Sequence, residues 1–188
     1  MASVRSVNVG RPREATWTTI GRTSILKEQV RGPVQVGELG LAGDEVSNLR
    51  HHGGPDKAVY AFAREDLDRW AEALGAEMAD GQFGENLTTV GIDVNEARLG
   101  ERWRVGGPEG PVLEVASFRT PCNVFKAWMG RSGLDARAWV KRFAADARPG
   151  PYLRVVVTGV LRAGDEIEVV APGGDVSVSE AFRAAHRL

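Results

Sequence analysis

The sequence predicts a β-rich α+β domain, most simply a β-barrel with a few helices. Three observations carry that expectation. Glycine and proline recur at short intervals, 23 and 9 of them in 188 residues, as many short strands joined by turns require. Apolar runs of strand length outnumber stretches with helical spacing. Strands and helices do not alternate regularly, so a doubly wound parallel sheet is not the pattern. The length fits one domain with a core of its own.

The elements follow in order. Val4–Val9, Val34–Val36 and Ala58–Ala63 read as strands. Arg64–Leu74 reads as a helix: Leu67, Trp70, Ala71 and Leu74 share one face, and Gly75 stops it. Leu99-Gly100-Glu101 turns into a strand ending at Val105, and Gly106–Gly110 is the tip of a hairpin leading to the strand Val112–Phe118. Helices are expected over Asn123–Met129 and Asp135–Ala147. The strands Leu153–Val160 and Glu166–Val170 bracket Ala163-Gly164-Asp165, a hairpin or turn signal. Ser177 with Glu180 forms a potential capping box for a last helix through His186. The tryptophans at 70, 128 and 139 read as core stripes and His186 as a surface residue.

Composition narrows the function. Net charge is −1, with 24 basic against 25 acidic residues, so no basic excess points to a nucleic-acid polymer or an anionic membrane. Of the 24 basic residues only Lys27, Lys57, Lys126 and Lys141 are lysines. The bias towards arginine suits bidentate anion contacts, and a general composition bias explains it equally well. Cys122 is the single cysteine, so no intramolecular disulfide and no multi-cysteine metal set can form. No apolar run approaches membrane-spanning length, and Met1–Ser6 lacks an apolar signal stretch. A cytoplasmic location is expected. No dinucleotide fingerprint, phosphate-loop motif, H-E-x-x-H or G-x-S-x-G occurs.

Three segments hold more chemistry than a core requires. Gly43-Asp44-Glu45 leads to His51-His52-Gly53-Gly54-Pro55-Asp56-Lys57. Paired glycines let backbone approach a ligand or adopt positive φ, while His, Asp and Lys offer a titratable group, an acceptor and a cation. The bland alternative is a polar turn. Phe83-Gly84-Glu85-Asn86-Leu87 sets a carboxylate beside an amide. Such a pair can read a heterocycle edge or bond its own backbone. Arg119-Thr120-Pro121-Cys122 places a sulfur where a strand meets a helix. Helix N–H groups and a neighbouring arginine suit an anionic sulfur there, either nucleophile or soft-metal ligand. A small buried hydrophobe is the alternative.

Taken in order, these segments resemble the MOSC domain family, named after the C-terminal domain of molybdenum cofactor sulfurase, and its small stand-alone bacterial members above all. The signs are Ile25-Leu26-Lys27, Gly-Pro-Val at 32–34, Gly40-Leu41-Ala42-Gly43-Asp44, His52-Gly53-Gly54-Pro55-Asp56-Lys57-Ala58, Phe83-Gly84-Glu85-Asn86-Leu87, Leu99-Gly100-Glu101 and Arg119-Thr120-Pro121-Cys122. Each is weak alone; the combination with its spacing is specific. The resemblance implies a MOSC-like β-barrel over residues 1–172 and a short C-terminal helical extension over 173–188. It also implies the molybdenum cofactor, a pterin dithiolene carrying Mo, with Cys122 as the direct metal ligand. Lys27, Arg50, His52, Lys57 and Arg119 are the candidate cations for its phosphate. Gly53, Gly54 and Gly84 would permit close backbone approach, Glu85 and Asn86 would meet the pterin edge, and Asp44 and Asp56 carry over from the motif.

The implied activity is a molybdenum-dependent oxidoreductase that reduces N-hydroxylated small molecules: hydroxylamines, N-hydroxylated purines and amidoximes. Any of Asp44, His52 and Glu85 could act as proton donor. The chain has no flavin, haem or dinucleotide motif, so electrons would come from a separate, flavin-containing reductase. A molybdenum cofactor or sulfur carrier without turnover is the main alternative. A metal-free cysteine enzyme pairing Cys122 with His52, and an interaction barrel with an inert cysteine, stand behind it.

Overall fold

The computed structural model describes residues 1–49 and 52–188. The chain forms β1 (Ser3–Val9), β2 (Arg13–Glu14), β3 (Arg22–Thr23), β4 (Glu28–Gln29), β5 (Val34–Gly37), β6 (Gly40–Leu41), β7 (Val59–Ala63), α1 (Arg64–Leu74), β8 (Leu87–Val90), β9 (Glu101–Val105) and β10 (Val112–Phe118). Then come α2 (Asn123–Arg131), α3 (Trp139–Asp146), β11 (Pro151–Val157), β12 (Gly159–Leu161), β13 (Ile167–Pro172) and α4 (Val178–His186). A 3-10 turn spans Pro55–Lys57.

Eight strands make one large sheet in the order β13-β9-β10-β11-β7-β8-β1-β4. All pairings are antiparallel except β7 with β8, which the crossover through α1 makes parallel. The sheet curls until its ends approach. Val4 N–H donates to the Asp165 carbonyl at 2.9 Å, Gly164 N–H to the Val4 carbonyl at 2.7 Å, and Ile167 N–H to the Ala2 carbonyl at 2.9 Å. That seam is a single bridge (Ser3 with Glu166) and not a continuous ladder, so the expected barrel is a curled sheet with a short closure. Smaller sheets, β12-β5-β6 and β2-β3, flank it.

Most expected elements form, and the departures have local causes. The run 153–160 breaks at Thr158, because β11 pairs with β10 and β12 leaves to pair with β5. The turn at Ala163-Gly164-Asp165 therefore passes the chain between sheets and makes no hairpin. The helix expected from Asp135 starts at Trp139. Asp135 turns its carboxylate onto the N–H of Arg137, and Ala138 sits at φ 50°, outside the helical region. The capping box at Ser177 and Glu180 forms, and α4 packs back through Phe182 onto Phe118, ring centroids 5.5 Å apart.

Two cores result. The sheet interior is filled by branched aliphatics such as Val36, Val59, Leu113, Val115 and Leu153, with Trp103 among them. A second cluster, of Tyr60, Phe62, Trp70, Phe83, Phe125, Trp139 and Phe143, joins β7 and α1 to α2 and α3. Trp70 and Trp139 belong to this core as expected, whereas Trp128 is only partly buried and donates its Nε1–H to the Gln82 carbonyl at 2.8 Å. Among the described residues no helix is long and apolar enough to cross a membrane.

Candidate active site

Over the aromatic cluster lies a cleft of about 160 Å³. Cys122 forms one part of its wall. Strand β10 ends at Phe118 and α2 begins at Asn123, so Cys122 is the N-cap of α2. Its Sγ accepts a long contact from Phe125 N–H at 3.5 Å, the cap position where a helix favours an electron-rich atom.

Arg119 lines the same cleft and is almost wholly buried. Its guanidinium stacks over the Phe125 ring at 4.1 Å and the Tyr60 ring at 4.9 Å, and Nη1 donates to the Phe83 carbonyl. Among the described residues no carboxylate lies within ion-pair distance of it. A permanently charged, buried and uncompensated guanidinium is a costly arrangement, and an anion in the cleft would relieve it.

Lys27 and Asp44 also line the cleft and pair with each other. Asp44 accepts a second bond from Gly10 N–H at 2.6 Å. Burial lowers the Lys27 pKa, and Asp44 works against that shift. His52, Gly53 and Lys57 reach the cleft from the segment before β7. The Lys57 ammonium lies 5.8 Å from the Tyr152 ring centre, and His52 N–H donates to the Asn48 carbonyl at 2.9 Å. Gly53 holds φ 78°, a conformation glycine adopts without strain. Gly84 (φ 77°) leaves so little room that a Cβ would stand 3.0 Å from Ile25 Cγ1.

Other expected site residues fall elsewhere. Glu85 is fully buried and does not line the cleft. Its carboxylate accepts from Gly81 N–H at 2.6 Å, Phe83 N–H at 3.0 Å and the Thr88 hydroxyl at 2.9 Å, folding the 81–88 segment around itself. Burial pushes its pKa up to about 7, against the pull of those donors. Asn86 touches the cleft, but its Oδ1 accepts from Tyr60 N–H at 3.0 Å and its Nδ2 donates to the Asn8 carbonyl at 3.2 Å. Its amide is therefore engaged in joining β7 to β1. Asp56 is exposed and paired with Arg154 at 2.7 Å, and Gly54 stands outside the lining. Arg50 lies outside the described residues.

The sequence reading missed part of the wall. Thr18, Thr19, Ile20 and Arg22 reach the cleft from the β2–β3 hairpin, and Tyr60 and Tyr152 form its aromatic base. Tyr60 hides as one more apolar position in a strand. Its hydroxyl, bonded to the Pro149 carbonyl at 2.8 Å, marks it as the more constrained ring.

The sequence profile of the MOSC domain matches residues 48–168 of this chain, a segment that contains Cys122 and Arg119 but begins after Lys27 and Asp44. Protein YiiM of Escherichia coli is 31% identical over 170 residues, covering 88% of this chain and 72% of that protein. YflK of Bacillus subtilis is 29% identical over 174 residues, 91% of this chain and 74% of that protein. The crystal structure of YiiM from Geobacillus stearothermophilus aligns over 99% of this chain and 84% of its own, at a TM-score of 0.79 and 26% identity. The chain belongs to the MOSC domain family.

Proposed function

We propose that the chain is a molybdenum-cofactor-dependent reductase that cleaves the N–O bond of N-hydroxylated compounds, with Cys122 as a molybdenum ligand. The observation that carries this reading is the shared position of Cys122 and the uncompensated Arg119 on one cleft. A relative from Gibberella moniliformis bears the name reductase; it is 31% identical over 155 residues, 79% of this chain and 26% of that protein.

The donor set fits the group. Among the described residues no cluster of three or more His, Cys, Asp and Glu side chains could hold a metal ion. A metal here would arrive with ligands of its own, as a dithiolene pterin provides, and one cysteine sulfur suits such a soft set. Arg119, Lys57 and Lys27 supply cations for the pterin phosphate.

When bound, the cofactor supplies the two-electron couple and the Lewis acidity for N–O cleavage. In balance, an N-hydroxylated amine takes up two electrons and two protons and leaves as amine and water. The protein's own part is positioning and protons. Arg119 and Lys57 fix anionic groups, and the Tyr60 and Tyr152 rings hold water away from the base of the cleft. Asp44 is engaged by Lys27 and Gly10, and Glu85 does not reach the cleft. Of the three candidates His52 is therefore the proton-handling group. A separate flavin-containing reductase delivers the electrons.

The test is to purify the chain from cells that make the cofactor and assay molybdenum, pterin and hydroxylamine turnover with an artificial electron donor. Stoichiometric molybdenum and pterin with turnover, all lost in a folded Cys122→Ala variant, is the expected result. Bound cofactor without turnover would favour a carrier, and full activity in the variant would end the assignment of Cys122.

A further inference from the structure

The β2–β3 hairpin shares no strand ladder with the main sheet; an ion pair from Arg13 to Glu28 of β4 ties its stem there. Its two strands pair only through Arg13 with Thr23 and Glu14 with Arg22, and they form a sheet of their own. Within the tip, Ala15 N–H donates to the Gly21 carbonyl at 2.8 Å, and the Thr18 hydroxyl reaches the Ala15 and Arg22 carbonyls at 3.0 Å each. With no ladder to the main sheet, side-chain contacts such as Arg13–Glu28 set where this unit stands.

One such contact reaches the helix that carries Cys122. The Arg131 guanidinium lies 5.2 Å from the centre of the Trp17 ring, within cation–π range. Arg131 is the last residue of α2, whose N-cap is Cys122. Among the described residues no carboxylate lies within ion-pair distance of Arg131. Neither Trp17 nor Arg131 lines the cleft, whereas the next three residues, Thr18, Thr19 and Ile20, all do.

The mouth these residues help to form is apolar. Ile20 from the hairpin and Leu39 from the turn between β5 and β6 both line the cleft, 43% and 71% exposed. Val46 and Val124 continue the apolar lining inward. Large apolar side chains left in water at the entrance of a polar site are the pattern of a surface that a ligand covers.

We propose that the hairpin is the specificity wall of this cleft, held in register with Cys122 by the Trp17–Arg131 clasp, and that its mouth selects substrates whose N–OH group is borne on an apolar body. The preference for such substrates rests on the reductase reading; the wall and its clasp do not. Trp17 and Arg131 act as positioning residues, through Ile20.

The experiment has two arms. Because Cys122 is the only cysteine, thiol alkylation of the full chain prepared without cofactor reads cleft access directly. A small haloacetamide is compared with a bulky aryl maleimide. Arg131→Ala and Trp17→Ala are expected to raise the bulky-to-small rate ratio by about fivefold, the factor a cation–π contact of this exposure carries. Arg131→Lys should restore the original ratio, since it keeps the cation. An unchanged ratio in both alanine variants, or equal changes in both reagents, would overturn the clasp. In the loaded enzyme, Ile20→Ala and Leu39→Ala should raise KM for an aryl hydroxylamine more than for hydroxylamine itself, with kcat the less affected constant. Parallel KM changes would overturn the apolar preference. A loaded chain with no turnover would count against the reductase reading alone, since the alkylation arm is independent of it.

Discussion

The two cores differ in what they are made of and in what they hold. The sheet interior is aliphatic, assembled by strand ladders, and complete in its polar bonding where Trp103 enters it: that indole donates to Glu101 at 2.6 Å. The second cluster is mainly aromatic, with Leu67, Met78 and Met129 filling in, and its ring centroids stand 4.8–6.4 Å apart around Phe83, Trp70 and Trp139. Among the described residues the indole N–H groups of Trp70 and Trp139 in it have no partner; on the sheet strands the same holds of Thr89 Oγ1, Arg104 Nε and Ser117 Oγ. Arg119 lies on it and Cys122 packs against it. The aliphatic core thus carries the fold and the aromatic one carries the site. Ladders need only the right face inward, whereas holding a guanidinium in place needs broad ring faces.

The strongest way to break that division is to hollow each core in turn. Trp103→Ala and Phe83→Ala should each lose about 3–5 kcal/mol of stability, the usual range for a buried aromatic. Their effects on the site should diverge. The Phe83 ring packs edge-on against Phe125, 5.1 Å between centroids, and Arg119 stacks on that same Phe125 ring, so its loss should also change the alkylation rate of Cys122 in the folded fraction. Trp103→Ala should leave that rate unchanged. Denaturation curves with native-state alkylation measure both, and an equal change in the two variants would remove the distinction.

A second difference is electrical. Glu85 sits behind the aromatic cluster with a pKa raised by burial from 4.5 to about 7. Between those values the folded state binds more proton than the unfolded one. Its contribution to stability is therefore fully present below about pH 4.5 and lost as pH rises through about 7, a total of about 3 kcal/mol. Comparing wild type with Glu85→Gln by chemical denaturation at pH 5 and pH 8 isolates this term. The wild type should lose stability relative to the variant on going to the higher pH; a constant gap would show that the three donors hold the carboxylate ionised throughout.

Arg119→Met should separate site from fold in the opposite sense. Removing a buried, uncompensated charge while keeping the stem is neutral or stabilising. Loss of a charge-assisted contact of about 1.5–3 kcal/mol should weaken anion binding by roughly ten- to a hundredfold. Pterin retention after gel filtration, read beside the melting temperature, checks both. A variant that melts earlier and keeps its pterin would mean that Arg119 belongs to the fold.

What the sequence made legible follows the same line. Arg119 and Cys122 stand three residues apart, and a strand-to-helix junction sends both to one cleft, so local order was enough. Glu85 and Asn86 are neighbours too, yet neither offers its carboxylate or amide to the cleft. The N–H groups of Gly81 and Phe83 and the Thr88 hydroxyl hold Glu85 inward, and Asn86 is taken up by Tyr60 and Asn8. The β2–β3 hairpin gave no signal, because strands of two residues have no period to read. Curling the sheet until β1 meets Glu166 depends on contacts across the whole chain, which no local pattern encodes.

The smallest expected effects test the comparison most finely. Trp70→Phe and Trp139→Phe each remove a buried N–H that has no acceptor, and each also removes packed ring area. An unsatisfied buried donor costs about 1–3 kcal/mol, close to what the lost area contributes, so each variant should fall within about 1 kcal/mol of wild type. Trp103→Phe removes a similar area, but it also breaks the bond to Glu101. It should cost roughly 2–4 kcal/mol more than either: it loses a bond worth about 1 kcal/mol and gains no relief from an unsatisfied donor. Three urea curves decide the matter. If Trp103→Phe is no worse than the other two, the bonding of the indoles is not what distinguishes the cores, and the aromatic cluster's hold on Arg119 must be explained by ring geometry alone.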